Sequence, residues 1–369
     1  MIGFNYITGE YNVGTCTFTL TDSKRTDTPG KGGPRRLSVR MYYPVTKEST
    51  AGAKKAPAYS ERKEREVAKA FYSKKLPEEL RYPEHYDVPM IKDARFPLIM
   101  FSHGYNSVVE ANTLLCCDLA SHGYIIASVG HANEAIENDY DNGEYDLFDK
   151  KISKVMYDKN VITVGFAQLK VMNRKFTPEE ALEKFDEFQN RYCSYLRKRT
   201  EVWADDMVFA ADAVKERFKD NIDTECGIGV SGHSLGGDTA YYLCRYREGF
   251  SCGINIDGAL FGDYDDTPMT KPFCQISCKD NLNFETRPFF NTTADTYHVL
   301  FDGATHLGFT DVKAFFPLRS FCGKISHATI HKHLAYSHYR FFDIYLKGVK
   351  KPFVREDKTG KAGVHYRKI

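Results

Sequence analysis

The sequence has little that would carry the chain out of a reducing compartment or into a membrane. Its first residues, "MIGFNYITGE", show no basic segment leading into an apolar one, so no secretory signal is read there. No run reaches the roughly 18 apolar residues that a membrane-spanning helix needs. Residue 2 is an isoleucine where N-myristoylation requires glycine. Neither sign of charge dominates: 51 Lys and Arg stand against 49 Asp and Glu, a net charge of +2. That balance supplies no global field to draw in nucleic acid or an acidic membrane. There is no G-x-x-x-x-G-K-[ST] phosphate loop. The ten cysteines, among them the adjacent pair Cys116 and Cys117, follow no disulfide-scaffold spacing. Most lie in apolar runs, as Cys226, Cys244, Cys252 and Cys274 do, and read as buried free thiols of a cytoplasmic protein. Cys274 and Cys278 lack a second ligand pair. His327, His331, His333 and His338 come without an H-E-x-x-H motif. The expectation is therefore no metal and no cofactor. Without an export route, the glycosylation pattern at Asn291 carries no meaning.

What is present is a recurring alternation of short apolar runs and helical patterns. The 369 residues, 42% of them hydrophobic, suffice for one large domain. Residues 37–43 alternate in polarity and predict an early antiparallel strand. Residues 98–101, 124–129, 227–230, 253–256, 273–276 and 298–301 read as further strands, the continuous apolar ones buried on both faces. Trp203, Met207, Ala210, Ala211, Val214 and Phe218 share one helical face. Leu334, His338, Phe341 and Tyr345, with Phe342 and Leu346, form another. Strands alternating with helices predict an α/β fold, a mostly parallel central sheet with helices on both faces. Two charged stretches look inserted into it. Residues 47–95 read as surface helix and loop, and residues 135–200 as a helical cap or lid. Within the cap, Thr177, Pro178 and Glu180 predict a capped helix start.

The strongest chemical signal is "GVSGHSLGGD" at 229–238. Gly232-His233-Ser234-Leu235-Gly236 is G-x-S-x-G between a strand-like run and a helix-like one, the context of a nucleophile elbow. Side chains two residues either side of the serine would meet neighbouring backbone, so Gly232 and Gly236 fit the turn. An idle serine in a glycine-rich turn is the competing reading. A hydroxyl nucleophile needs a base, and the partners follow in the order serine, acid, histidine. His306, in "FDGATHLGFTD", lies after the last predicted parallel strand and fits the base; His298 is held within that strand. Asp257 and Asp280 both end strands and remain equal candidates for the acid on spacing, while Asp302 stands too close to His306 to orient it. The segment "MFSHGYNS" ends a buried strand where a second oxyanion amide belongs. The oxyanion hole would then be the N–H groups of Tyr105 and Leu235.

With these segments placed, the chain resembles the platelet-activating factor acetylhydrolase family of α/β-hydrolases. The likeness runs through "YNVGTCTFTL", "RLSVRMYYP", "FPLIMFSHGYNS", "DLASHGYIIASVGH", "GHSLGG", "GINIDG" and "GATHLGFTD". It passes over the first insertion and much of the cap. It implies Ser234 as nucleophile, Asp257 as acid in preference to Asp280, and His306 as base. It also implies cofactor-free hydrolysis of short or oxidised acyl esters, such as the sn-2 acyl group of a phospholipid, with peripheral membrane contact left open. Two alternatives stand beside it: a carboxylesterase or dienelactone-type hydrolase of small soluble esters, and an inactive α/β-hydrolase serving as a binding module.

Overall fold

The computed structural model describes residues 6–26, 32–70, 81–315, 322–353 and 363–369. Thirteen strands occur among them: β1 (Asn12–Thr26), β2 (Pro34–Val45), β3 (Lys55–Pro57), β4 (Arg81–Tyr86), β5 (Phe96–Ser102), β6 (Ile125–His131), β7 (Glu137–Asp139), β8 (Tyr145–Leu147), β9 (Ile222–His233), β10 (Phe250–Ile256), β11 (Phe273–Cys278), β12 (Thr296–Phe301) and β13 (Val364–Lys368). The helices used below are α1 (Glu61–Ala70), α2 (Thr113–Ser121), α3 (Ile152–Val155), α4 (Val161–Met172), α5 (Pro178–Tyr192), α6 (Ser194–Arg217), α7 (Leu235–Tyr246), α8 (Val312–Phe315) and α9 (His327–Tyr345).

Eleven strands make one sheet in the order β13-β12-β11-β10-β9-β5-β6-β2-β1-β4-β3. From β12 to β6 every neighbouring pair is parallel. The early strand β2 is antiparallel to both β1 and β6, as the alternation of residues 37–43 predicts. The apolar runs are explained by two cores, one on each face. Leu98 and Met100 of β5 enter a cluster with Ala204, Met207 and Val214 of α6 and Leu243 of α7. Ile99 and Phe101 point the other way, to Leu115 of α2 and Phe341 and Phe342 of α9. A strand covered twice can only be apolar throughout, because successive side chains leave opposite faces.

Residues 135–200 contain the β7–β8 hairpin, α3, α4, α5 and the first turns of α6. The start of α5 carries the expected capping box: Glu180 N–H donates to Thr177 Oγ1 at 3.2 Å and Thr177 N–H to Glu180 Oε2 at 2.9 Å. Residues 47–95 hold more structure than surface helix and loop. Within them β4 pairs with β1 and β3 with β4, extending the sheet edge. Lys63 of α1 is buried against Glu110, and Glu84 of β4 against Arg40. A charged composition reads as surface, but these charges are neutralised by partners distant in sequence, which is how a buried ion survives. Part of this stretch, residues 71–80, lies outside the described residues. Among the described residues no helix is long and apolar enough to cross a membrane.

Parallel strands end on one edge, so residues just past β5, β9, β10, β11 and β12 assemble there although they are far apart in sequence.

Candidate active site

Ser234 sits between β9 and α7 with φ 58° and ψ −125°. A non-glycine residue in this left-handed region is strained, and such strain collects at functional turns. The turn leaves no room at its flanks. A Cβ on Gly236 would come 2.1 Å from the Ser102 carbonyl oxygen, and one on Gly232 2.2 Å from the Gly236 carbonyl oxygen. Both glycines are sterically required.

Asp257, the residue after β10, is fully buried, and also has a positive φ, 54°. Its Oδ2 lies 2.7 Å from His306 Nδ1 and accepts from Asn281 Nδ2 at 2.7 Å; its Oδ1 accepts the Cys278 N–H. Burial alone would raise this carboxyl, but the bond and charge of His306, with the Cys278 donors, hold it below the ordinary carboxylate range. Behind it stands a second buried carboxyl, Glu285, whose Oε2 accepts from Gln275 Nε2 at 2.9 Å. Burial, and then the Asp257 charge, push the Glu285 carboxyl well up from its ordinary value. Asp280, the other candidate acid, is exposed on the turn after β11 and makes no hydrogen bond to His306. Asp302 is also surface-exposed, 3.8 Å from Lys279.

His306 opens a 3-10 turn after β12, half-exposed. An ionised Asp257 beside Nδ1 fixes the proton there and leaves the Nε2 lone pair for other work. Ser234 and His306 line the same cavity, of about 340 Å³, but their side chains are not hydrogen-bonded in this conformation. Tyr105, Phe185, Phe188, Phe261 and Phe284 supply much of the remaining wall. A smaller chamber of about 110 Å³ also borders Ser234 and His306, walled by Tyr59, Val67, Val108, Ala111, Leu307 and Val312.

The N–H groups of Tyr105 and Leu235 have no protein acceptor among the described residues. That is ordinary for Leu235, the first residue of α7. For Tyr105 the cause is one turn of chain. His103 is buried and held neutral, its pKa lowered to about 3 chiefly by burial. Its Nε2 accepts the His131 N–H at 3.3 Å, so Nδ1 carries the proton, 2.6 Å from the Gly104 carbonyl oxygen. The Gly104 carbonyl and the Tyr105 N–H share one trans peptide plane and point in opposite directions. Fixing the first therefore aims the second.

Three residues in this region had no site role in the sequence reading. Besides His103 they are Asn281, which braces Asp257, and His233, whose Nε2 is 3.0 Å from the His306 carbonyl oxygen. His233 stands inside the G-x-S-x-G pattern and His103 two residues before Tyr105, but neither local pattern names the partners that hold them, His306 and His131, which come from other strand ends. The structure also holds a second Ser–His–Asp chain. Ser102 Oγ is 3.0 Å from His131 Nε2, and His131 Nδ1 is 2.8 Å from Asp206 Oδ2. All three are 0% exposed, and Arg35 clamps Asp206 through two bonds of 2.6 Å. Sealed from any substrate, this chain braces the end of β5. Among the described residues no group of three or more His, Cys, Asp or Glu side chains could hold a metal ion.

Comparison with known proteins adds to this geometry. A solved ferulic acid esterase from Streptomyces cinnamoneus superposes with a TM-score of 0.73 at 21% identity, covering 98% of this chain and 97% of the other. The fold is thus that of the α/β-hydrolases. The platelet-activating factor acetylhydrolase of Cavia porcellus is 23% identical over 240 residues, 63% of this chain and 52% of the relative. That of Canis lupus familiaris is 27% identical over 178 residues, 47% of this chain and 38% of the relative. That of Gallus gallus is 26% identical over 181 residues, 47% of this chain and 41% of the relative. The matched segments thus span about half or less of each relative. The family model for platelet-activating factor acetylhydrolase, isoform II, matches residues 2–319, most of the chain, and the protein belongs to that family.

Proposed function

We propose that the protein is a serine hydrolase of carboxylic esters bearing a short or oxidised acyl group, the sn-2 acyl ester of a phospholipid being the favoured substrate class. The observation that carries this reading is the 2.7 Å contact of His306 Nδ1 with buried Asp257, beside the strained Ser234 on one cavity wall. His306 Nε2 takes the Ser234 hydroxyl proton as Oγ bonds to the ester carbonyl carbon. The carbonyl electron pair moves onto oxygen, which the Tyr105 and Leu235 N–H groups receive. Asp257 stabilises the imidazolium. Collapse breaks the carbon–oxygen bond to the alcohol, which leaves with the proton from Nε2. Water then repeats the sequence on the acyl-enzyme and releases the acid. Each oxyanion donor contributes about 3 kcal/mol to transition-state stabilisation.

The two chambers support the substrate assignment. The 110 Å³ chamber suits a short acyl group, and the larger aromatic one suits the bulkier alcohol or lysolipid. The test is a panel of nitrophenyl esters and short-acyl phospholipids, run with the wild type and Ser234→Ala, together with fluorophosphonate labelling. Expected are a fluorophosphonate adduct on Ser234, hydrolysis lost in Ser234→Ala, and a preference for short acyl chains. An intact, folded protein without adduct would favour a binding module, and hydrolysis of soluble esters alone would favour a general carboxylesterase.

A further inference from the structure

The cap helix α4 has two apolar faces, and the fold uses only one. Val164 and Val171 are buried, and Gln168 between them lines the larger chamber. This is an inward stripe at i, i+4, i+7. Ile162, Phe166 and Leu169 form a second stripe with the same spacing on the outer side. They are 69%, 65% and 51% exposed, with Val161 beside them at 72%. Large side chains exposed together in this way mark a contact surface, whereas scattered ones would need no explanation.

The surroundings indicate what covers it. Residues 150–175 carry seven basic side chains, Lys150, Lys151, Lys154, Lys159, Lys170, Arg174 and Lys175, against one acidic one, Asp158. That acid is engaged at the start of α6, where Asp158 Oδ2 accepts the Ser194 N–H at 2.9 Å. The helix itself contains no acid. The basic field is local, because α5 beyond it carries Glu179, Glu180, Glu183 and Glu187. An apolar helical stripe in a segment rich in exposed lysines is complementary to one kind of partner, a bilayer with anionic headgroups. Leu, Ile and Phe enter the acyl boundary while lysines reach the phosphates. A soluble protein partner would need an apolar groove with an acidic rim.

We infer that the outer face of α4 docks on an anionic phospholipid surface and sets the mouth of the larger chamber against it. The helix is tied to the chamber: Asn283 Nδ2 donates to the Val171 carbonyl at 2.7 Å and to the Arg174 carbonyl at 3.0 Å. Asn283 shares a 3-10 turn with Asn281, which braces Asp257. Docking by α4 thus places the chamber at the surface where acylated lipids reside. Docking itself needs no chemistry; only the delivery of substrate rests on the ester-hydrolase reading.

The experiment measures binding apart from turnover. Wild type and Ser234→Ala are sedimented with vesicles of equal parts phosphatidylcholine and phosphatidylserine, beside an Ile162→Glu/Phe166→Glu variant. Expected is pelleting of the first two, weakened by salt, and a partition coefficient at least roughly tenfold lower for the double variant. The double variant should hydrolyse soluble nitrophenyl acetate as the wild type does, which shows that it is folded. Phe166→Trp should shift its emission to the blue on the vesicles, since the single native tryptophan, Trp203, is already buried. Equal pelleting of wild type and double variant overturns the inference, as does failure of the wild type to pellet. A wild-type dimer that the double variant dissociates, with no vesicle binding by either, assigns the face to a second copy instead. Vesicle binding without any ester hydrolysis upholds the docking surface and overturns the proposed activity.

Discussion

His233 Nε2 lies 3.0 Å from the backbone carbonyl oxygen of His306, and the two rings are 4.5 Å apart at 34°. The residue before the elbow serine therefore grips the loop that carries His306. Burial lowers the His233 pKa to about 3, so the ring stays neutral and donates one fixed hydrogen bond. His233→Phe keeps the ring and removes the donor. With His306 as the proposed base, the expected result is a kcat reduced by about 10- to 100-fold with KM nearly unchanged, the cost of a misplaced imidazole. Steady-state kinetics on a nitrophenyl ester decides it; an unaltered kcat would mean that the carbonyl bond does not hold the loop.

The two candidate acids separate cleanly by substitution. Asp257→Asn should lower kcat by about four orders of magnitude, because an amide cannot hold the imidazole tautomer or stabilise its cation. Asp280→Asn alters an exposed side chain and should stay within about twofold. Comparable losses in the two variants, or the opposite ranking, would remove Asp257 from the mechanism.

The buried histidines cost stability on mild acidification, and buried carboxyls oppose them: burial raises Asp238 to about 6 and pushes Glu285 and Asp311 well up, so these three hold protons in the folded state that the unfolded chain has released. Burial, the largest cause in each case, lowers His103, His233, His298 and His327 to about 3 and His338 to about 4. In the unfolded chain each protonates near its ordinary value of about 6.5. In the folded state these rings stay neutral there, so their unfolding takes up protons, and their contribution to stability drops as pH falls from about 6.5 through the folded values. Asp257 acts lower. Its depressed folded pKa adds stability above the ordinary carboxylate value of about 3.9, which is lost as pH falls further. Urea midpoints of the wild type and His338→Gln at neutral pH and at pH 5 test this: the variant should lose less stability over that interval, and an equal loss in the two would refute the histidine contribution.

The smaller chamber makes its own prediction. Val67 is buried in its wall, 1% exposed. Val67→Ala lengthens the space available to an acyl chain, so the ratio of kcat/KM for hexanoate over acetate esters should rise by about tenfold, the scale of one or two methylenes. An unchanged ratio in a folded variant would mean that the acyl group lies elsewhere.

Much of the fold was legible because its signals are local. The doubly covered strands announce themselves as apolar runs, and the α5 start as a Thr–Pro–Glu pattern. The first insertion was read less well. Lys63 and Glu84 look like surface charges until Glu110 and Arg40 arrive from other parts of the chain. The outer stripe of α4 was equally hidden, since an apolar period does not say which side of a helix is covered.

By itself the sequence determined the elbow turn and the order of serine, acid and histidine types along the chain, because backbone sterics at Gly232 and Gly236 act within a few residues. Only the tertiary structure could decide which carboxylate meets His306. Asp257 and Asp280 both follow parallel strands, but one turns inward at a positive φ beneath the ring and the other turns out to solvent. The same holds for His103, His233 and Asn281. Their roles depend on hydrogen bonds between the ends of different strands, and such bonds come into being only when the sheet brings those ends to one edge.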